Sequence, residues 1–152
     1  MEVLTFRLGE EEYGINILCV QEIRGYEAPT RIANAPYFFM GVQNLRGVIV
    51  PILDLRLKFG LADAEYGGST VTIVLNVECG VFGIVVDAVS DVVLLAADQI
   101  KPSPRMSITS IEKFMTGLGT VAAGDRQRML ILLDIAGLIK SAQIGLVAEA
   151  MS

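Results

Sequence analysis

Apolar and polar residues alternate with a period of two along much of this chain, which is the pattern of half-buried β-strands. Residues 4–8 and 13–17 show this alternation on either side of the polar residues 9–12. In the first run, Thr5 and Arg7 fall on the polar side. The pattern therefore predicts an N-terminal β-hairpin with one apolar and one polar face.

The next segment, residues 17–32, has no clean period, and we expect a short turn followed by an irregular strand. A second hairpin pattern then appears, with apolar runs at 40–45 and 48–53 around the dipeptide Arg46-Gly47. Gly47 tolerates the positive φ that tight hairpin turns require. The sequence thus predicts that Arg46 lies in the turn of a hairpin.

The second half of the chain repeats this style after a predicted helical turn at 54–59 and a polar loop at 61–69. Its strand-like runs are residues 71–77, 81–87, 89–96, 111–121 and 128–133. Residues 134–150 have apolar positions at helical spacing, although glycines interrupt them. Short strands with glycine turns favour an all-β barrel or sandwich, and two strand-rich halves predict two small barrels.

Composition adds limits on size and partners. The chain has 152 residues, 53% of them hydrophobic, which suits one domain or two small lobes. No apolar run approaches the ~20 residues that a membrane-spanning helix needs. The net charge is −5 and no basic patch stands out, so nucleic acid is not an expected partner.

The residue types that are absent limit the chemistry further. The chain has no histidine and no tryptophan, which removes the commonest general base and the commonest metal ligand. The N-terminus shows no secretory signal pattern. We therefore expect Cys19 and Cys79 to be reduced, buried thiols, since two cysteines cannot complete a tetrahedral zinc site.

Two other chemical patterns are weak. Residues 117–124 superficially resemble a nucleotide-binding loop, but they lack the Lys-Ser/Thr of a P-loop. Asp87 and Asp91 are an available pair of carboxylates, such as a glycoside hydrolase uses. Nothing around them suggests a sugar-binding platform. A small β-barrel enzyme or ligand-binding protein stays open as an alternative, but it is disfavoured.

Arg46 has two interpretations. It is either a solvated turn residue or a displayed cation that binds a carboxylate, for which Glu22 is a candidate within the chain. The valines of residues 85–93 likewise fit either the core or an exposed apolar patch, and such patches usually mark partner surfaces. The residues alone therefore favour a small β protein that binds other proteins and has no catalysis of its own.

Several motifs also resemble the CheW family of bacterial chemotaxis coupling proteins. They are EEYGINILCVQEIRG, NLRG-x-x-x-P-x-x-DLR, TVTIVLNV, VFGIVVDAVSDVV, TGLG and MLILLDI, in the family's order and over nearly the whole chain. The resemblance implies an all-β fold of two interlocked five-stranded SH3-like barrels with a hydrophobic core between them and a short C-terminal helix. It implies a single domain over residues 1–152, for which we expect a lobe boundary near 61–69.

The resemblance also implies a function. Family members are non-catalytic cytoplasmic adaptors that couple transmembrane chemoreceptors to the histidine kinase CheA, without cofactor or metal. They are monomers in isolation and alternate with the kinase's regulatory domain in rings at the membrane receptor arrays. A related alternative is the same domain inside a larger protein, such as that kinase; we expect a stand-alone adaptor.

The resemblance assigns roles to individual residues. The receptor-binding groove matches Ile17, Val20, Glu22, Arg46, Val89 and Val92. The receptor tip is a helical hairpin, so an apolar groove with a charged rim suits helix-in-groove recognition. We expect Glu22 to hold Arg46 at the groove mouth.

The kinase-binding surface matches Gly41, Met106 and Gly117, with an aromatic residue more usual at the position of Met106. Both glycines also fit a purely backbone requirement. Residues 122–129 form a longer segment than the family pattern has.

Overall fold

The computed structural model describes residues 1–60, 67–78, 80–102 and 114–141. The strands are β1 Glu2–Leu8, β2 Glu11–Asn16, β3 Val20–Gly25, β4 Phe39–Leu45, β5 Val48–Asp54, β6 Val71–Val77, β7 Gly80–Val86, β8 Ala88–Leu94, β9 Ile100–Lys101, β10 Met115–Ala123 and β11 Arg126–Leu133. Helix α1 is Leu55–Lys58, helix α2 is residues 135–141, and 3-10 turns are Ile17–Cys19 and Ala97–Gln99. No helix in these ranges is long and apolar enough to cross a membrane.

The predicted hairpins are confirmed. β1 pairs with β2, and β4 pairs with β5, both antiparallel. The helical turn after β5 is also confirmed, because the side chain of Asp54 accepts a hydrogen bond from the Arg56 N–H and caps α1. The last strand pair differs from its prediction: β10 and β11 extend through Ala123 and Arg126, so the connection is only a two-residue turn.

The strands form two interlocked sheets, which confirms the predicted fold class. The first sheet has the order β8-β1-β2-β11-β10-β9, and the second has the order β3-β6-β7-β5-β4. We expected five strands in each, and the two-residue β9 is the sixth strand of the first sheet. The lobe boundary expected near 61–69 stays a prediction. Strands β5 and β7, on either side of that segment, pair in parallel within the second sheet.

The main hydrophobic cluster lies between the two sheets. It includes Leu4, Phe6, Tyr13 and Ile15 from the first sheet, Leu53, Ile73, Leu75 and Ile84 from the second, and Leu138 and Ile139 from α2. A smaller cluster around Val3, Leu95, Leu130 and Leu132 belongs to the first sheet. Another, around Met40, Val50, Ile52 and Val85, belongs to the second sheet. Each sheet therefore packs on both faces.

This double packing corrects one sequence expectation. Thr5 alternates with apolar residues and falls on the predicted polar face, but it is completely buried. Leu4 and Phe6 face the main cluster, whereas Val3, on the other face of β1, joins the smaller cluster of the first sheet. A polar residue can therefore alternate with apolar ones in β1 without being exposed to solvent. Thr5 is accommodated in the interior because its hydroxyl has hydrogen-bond partners there.

Candidate functional site

The edge strand β8 presents two of the expected receptor-binding valines on one face. β8 lies at the end of the first sheet and pairs with β1, with Val89 opposite Phe6 and Val92 opposite Leu4. Between these two pairs, β1 has one residue, Thr5, whereas β8 has two, Ser90 and Asp91. The extra residue in β8 is a β-bulge. Because directly opposite residues in an antiparallel pair share a face, both valines lie on the main-cluster side of the sheet.

The edge strand β3 of the second sheet contributes further apolar positions. β3 pairs with β6, with Val20 opposite Leu75 and Ile23 opposite Ile73, two residues of the main cluster. A register shift between Val20 and Glu22 marks a second bulge. This bulge turns Glu22 to the other face of β3, although it lies only two residues from Val20.

The 3-10 turn Ile17–Cys19 leads from β2 of the first sheet to the edge strand β3 of the second. The Asn16 side chain accepts a hydrogen bond from the Leu18 N–H and so starts this turn. The turn contacts both β1 and β6, and Ile17, Val20 and Val89 all pack against the main cluster. Together with Val92 they form what we call the apolar edge surface, at the border between the two sheets.

Sequence reasoning missed further apolar residues beside this surface. Leu18, Ile23 and Leu94 are exposed. Leu94 lies two residues beyond Val92 on the same strand, and Ile23 shares the face of Val20. Their exposure has no signal in the hydrophobic pattern, because an edge residue and a core residue of the same type look alike until the sheet order is known.

Glu22 and Arg46 are in contact, as expected. Nη2 of Arg46 lies 2.9 Å from Oε2 of Glu22, and Nη1 of Arg24 lies 3.1 Å from Oε1. Arg46 itself has a positive φ of 54°, and Gly47 follows with 88°. Positive φ at both turn residues is typical of a type I′ turn, whose twist matches the hairpin strands. The side chain of Asn44 supports this turn by accepting the Gly47 N–H at 2.8 Å.

The ion pair links two edges of the second sheet, and its Glu22 lies on the face of β3 opposite to that of Val20. Thr30 and Val42 form a backbone bridge with two hydrogen bonds of 2.9 Å each, and Nε2 of Gln43 donates to the Glu27 carbonyl at 3.2 Å. These contacts and the ion pair connect β3 and the chain that follows it to the β4–β5 hairpin. Any influence of Arg46 on the apolar edge surface is therefore transmitted through β3.

Two of the positions expected to bind the kinase, Gly41 and Gly117, have a backbone requirement for glycine. Gly41 has a φ of +136°, and a Cβ there would overlap the carbonyl oxygen of Thr30. A Cβ on Gly117 would lie 2.7 Å from the carbonyl oxygen of Lys101. Both positions therefore need glycine for close approach of two chain segments. Met106 lies outside the described residues, as does Cys79, while Cys19 is a half-buried free thiol.

A buried ion cluster joins the two sheets near the end of the same hairpin. Nη2 of Arg56 lies 2.9 Å from Oδ2 of Asp54, and Nη1 lies 2.8 Å from Oδ1 of Asp87. Asp87 also accepts the backbone N–H of Gly9 at 2.6 Å. Burial alone would lower the pKa of Arg56, but the hydrogen bonds and charges of the two aspartates outweigh it and raise the pKa. Arg56 is thus held in its charged form.

These contacts bear on the enzyme alternative. Asp87 is bonded to Arg56 and Gly9, and Asp91 is bonded to Arg128 and Thr5. Both carboxylates therefore have structural partners. Among the described residues, no group of three or more cysteine and acidic side chains could hold a metal ion.

Comparison with known proteins agrees with this geometry. The family model for the CheW-like domain matches residues 2–143. The chain is 56% identical over 146 residues to the chemotaxis protein CheW of Klebsiella aerogenes, covering 96% of this chain and 86% of that protein. It is 35% identical over 134 residues to the chemotaxis protein CheW of Rhizobium meliloti, covering 88% and 84%.

A solved structure is also similar. The crystal structure of the scaffolding protein TtCheW from Thermoanaerobacter tengcongensis superposes with a TM-score of 0.76 at 29% sequence identity, covering 88% of each chain. Sequence and structure comparisons therefore point to the same family.

Proposed function

This chain belongs to the CheW-like domain family, and on that premise we propose that it is a non-catalytic adaptor that couples chemoreceptors to a CheA-type histidine kinase. The adaptor holds the kinase where the state of the receptor controls autophosphorylation. It acts in the cytoplasm and is recruited to receptor arrays at the membrane. Alone it is a monomer, and it assembles into rings with the kinase's regulatory domain.

The apolar edge surface is the observation that supports this proposal most directly. Val92 is 51% exposed and has the exposed Leu94 beside it, on the edge strand of the first sheet. On the second sheet, Val20 and the exposed Ile23 occupy the corresponding face. A surface of this kind suits the apolar stripe of a helix, and the expected receptor tip is a helical hairpin.

Glu22 and Arg46 would act beside this surface. Arg46 is 76% exposed on its side chain, so its guanidinium has donors left for an acidic group on the receptor. Glu22 holds it in place from β3. We therefore expect the pair to orient the edge of the second sheet and to offer a polar contact next to the apolar one.

The kinase would bind at the segments that the two glycines support. Gly41 allows β4 to approach Thr30, and Gly117 allows β10 to approach Lys101. Larger residues there would displace these segments and so weaken kinase binding indirectly. The position of Met106 lies in the chain after β9, close in sequence to Lys101.

Reconstitution of the kinase complex tests the proposal. A CheA-type kinase and a receptor signalling-domain fragment are mixed with and without this protein, and autophosphorylation is measured. We expect receptor-dependent activation that requires this protein. Activation that is the same in its absence, with several matched kinase and receptor pairs, would refute the coupling function.

A surface variant locates the receptor contact. Val92→Lys should abolish receptor-dependent activation and receptor binding, because it places a charge within the apolar edge surface. Met129→Lys is the matched control, since Met129 is also an exposed apolar strand residue of the first sheet, at 61%. Equal loss in both variants, or none in a folded Val92→Lys protein, would show that the receptor does not bind at this surface.

A further inference from the structure

The bulge in β8 decides which side chain stands at the apolar edge surface. Thr5 is opposite both Ser90 and Asp91, so the strands on either side of it are one residue out of simple register. Beyond the bulge, Val92 is opposite Leu4 and Val93 is opposite Val3. Val93 accordingly packs into the smaller cluster of the first sheet.

A strand without this bulge would present a different residue. Starting from Val89 opposite Phe6, simple pairing would place Asp91 opposite Leu4 and Val92 opposite Val3. Because a one-residue slip exchanges the faces of a strand, a carboxylate would then take the place of Val92. The bulge is therefore a requirement for the apolar character of the surface at this point.

The buried hydroxyl of Thr5 holds the bulge from β1. Its Oγ1 accepts the backbone N–H of Asp91 at 3.0 Å. The hydroxyl hydrogen can be donated to the Asp91 carbonyl oxygen at 3.0 Å or to the Asp91 carboxylate, which is also in contact. One side chain thus replaces the ladder partners that the bulged residue has lost.

A second anchor reaches the same residue from β11. Nη1 and Nη2 of Arg128 each lie 3.0 Å from a different carboxylate oxygen of Asp91, a bidentate pair. Nη2 and Nε of Arg128 also donate to Oε2 of Glu12 at 2.7 and 3.2 Å. The bulge is therefore connected to three other strands of the first sheet, β1, β2 and β11.

We propose that Thr5, Asp91 and Arg128 are positioning residues for receptor recognition, which fix the bulged register of β8 so that Val92 stands at the apolar edge surface. The inference rests on the proposed function, because it assigns these residues to the binding of the receptor. None of them needs to touch the receptor.

The sharpest test changes only the hydroxyl. Thr5→Val keeps the shape of the side chain and removes Oγ1, whereas Thr5→Ser keeps Oγ1. We expect Thr5→Val to weaken binding of the receptor signalling-domain fragment about tenfold, the order expected when one valine contact is lost. Thr5→Ser should bind as the unchanged protein does, and both variants should bind the kinase's regulatory domain normally.

A measurement on the protein alone reports the register directly. In the unchanged protein, NMR contacts between methyl groups should join Val3 to Val93, and the Asp91 amide should be protected from hydrogen exchange. Thr5→Val should lose that protection. If Thr5→Val fails to fold, Arg128→Met provides the same comparison from the second anchor, with Arg128→Lys as its conservative partner.

The outcomes separate this inference from the proposed function. If Val92→Ala weakens receptor binding but the folded Thr5→Val and Arg128→Met proteins bind normally, the positioning role is refuted and the function stands. If Val92→Ala also binds normally, the receptor surface itself is wrong. If receptor and kinase binding fall together in Thr5→Val, the residue has only a general structural role, and the inference is again refuted.

Discussion

The tip and the base of the β4–β5 hairpin carry the same kinds of residue in opposite environments. At the tip, Arg46 is 76% exposed and contacts Glu22. At the base, ten positions along the chain, Arg56 is only 1% exposed and contacts Asp54 and Asp87. Glycines follow the same division, since Gly47 lies in the open turn and Gly41 is packed against the Thr30 backbone.

The difference shows that a motif can combine residues for binding with residues for folding. An exposed ion pair contributes little to stability, because water screens it and solvates either partner alone. A buried pair is different, since removing one partner leaves the other charge without solvation. The fold should therefore depend little on Arg46, whereas it should depend strongly on Arg56, which links the second sheet to Asp87 at the start of the chain that enters the first.

The largest loss of stability should come from a substitution at the base of the β4–β5 hairpin. Arg56→Met should lower the free energy of unfolding by about 3–5 kcal/mol, because Asp54 and Asp87 lose their buried counter-charge. The matched Arg46→Met change should cost about 1 kcal/mol or less. Denaturant unfolding of the two variants measures the difference, and similar losses in both would contradict the division between tip and base.

Substitutions of Gly41 and Gly47 should differ in the same direction, with a smaller loss of stability. Gly41→Ala combines an unfavourable φ of +136° with overlap on the Thr30 carbonyl, so we expect a loss of about 2–4 kcal/mol in stability. Gly47→Ala has a φ of +88° but no atom within 4 Å of the new Cβ, so strain alone should cost about 1 kcal/mol. Thermal unfolding of both variants is the measurement. If the two variants were equally stable, the close approach of Gly41 to the Thr30 carbonyl would not limit the residue at position 41.

Substitutions at the tip of the hairpin should affect receptor binding more than the stability of the fold. Glu22→Lys places a cation beside Arg24 and Arg46, and we expect weaker receptor binding with the fold retained. Adding Arg46→Glu to this variant restores one opposite-charge contact and should recover part of the affinity. Titration calorimetry with the receptor fragment, after circular dichroism has established folding, gives the answer. Unchanged affinity in the folded single variant would leave the ion pair without a role in recognition.

The smallest effect concerns a half-exposed pair between these extremes, Asp91 and Arg128. The hydrogen bonds from Arg128 and Thr5 lower the pKa of Asp91 from its ordinary value of 3.8. A lowered folded-state pKa means that the carboxylate stabilises the fold above the ordinary value, and that this contribution is lost as the pH falls through the lowered one. The difference in unfolding free energy between the unchanged protein and Asp91→Asn should accordingly be constant near neutral pH and shrink below about pH 4. A pH-independent difference would show that the ionised carboxylate is not involved.

The parts of this structure that could be predicted are those determined by residues close together in the sequence. The hairpin around Gly47 follows from turn chemistry and flanking apolar runs, and the helical turn after Asp54 follows from its cap. The contact between Glu22 and Arg46 came from the family resemblance, since 24 residues separate them and spacing alone does not join them.

The parts that escaped prediction depend on long-range pairing. The burial of Thr5 was not predicted, because its hydrogen-bond partners on Asp91 are 86 residues away. The bulges at Gln21 and at Ser90-Asp91 shift the phase of β3 and β8, and no period count reveals such shifts. Likewise, the parallel pairing of β5 and β7 within one sheet joins strands that the local pattern does not connect.

The interlocked sheet order has a consequence for how the protein is made. Every strand of the second sheet has left the ribosome once residue 86 is free, whereas the N-terminal hairpin must wait for β11, residues 126–133, to pair with β2. Distant pairings of this kind fold slowly and leave strand edges open in the meantime. During synthesis, the first hairpin to be made is therefore among the last to be completed, because the open side of β2 has no partner until β11 is available.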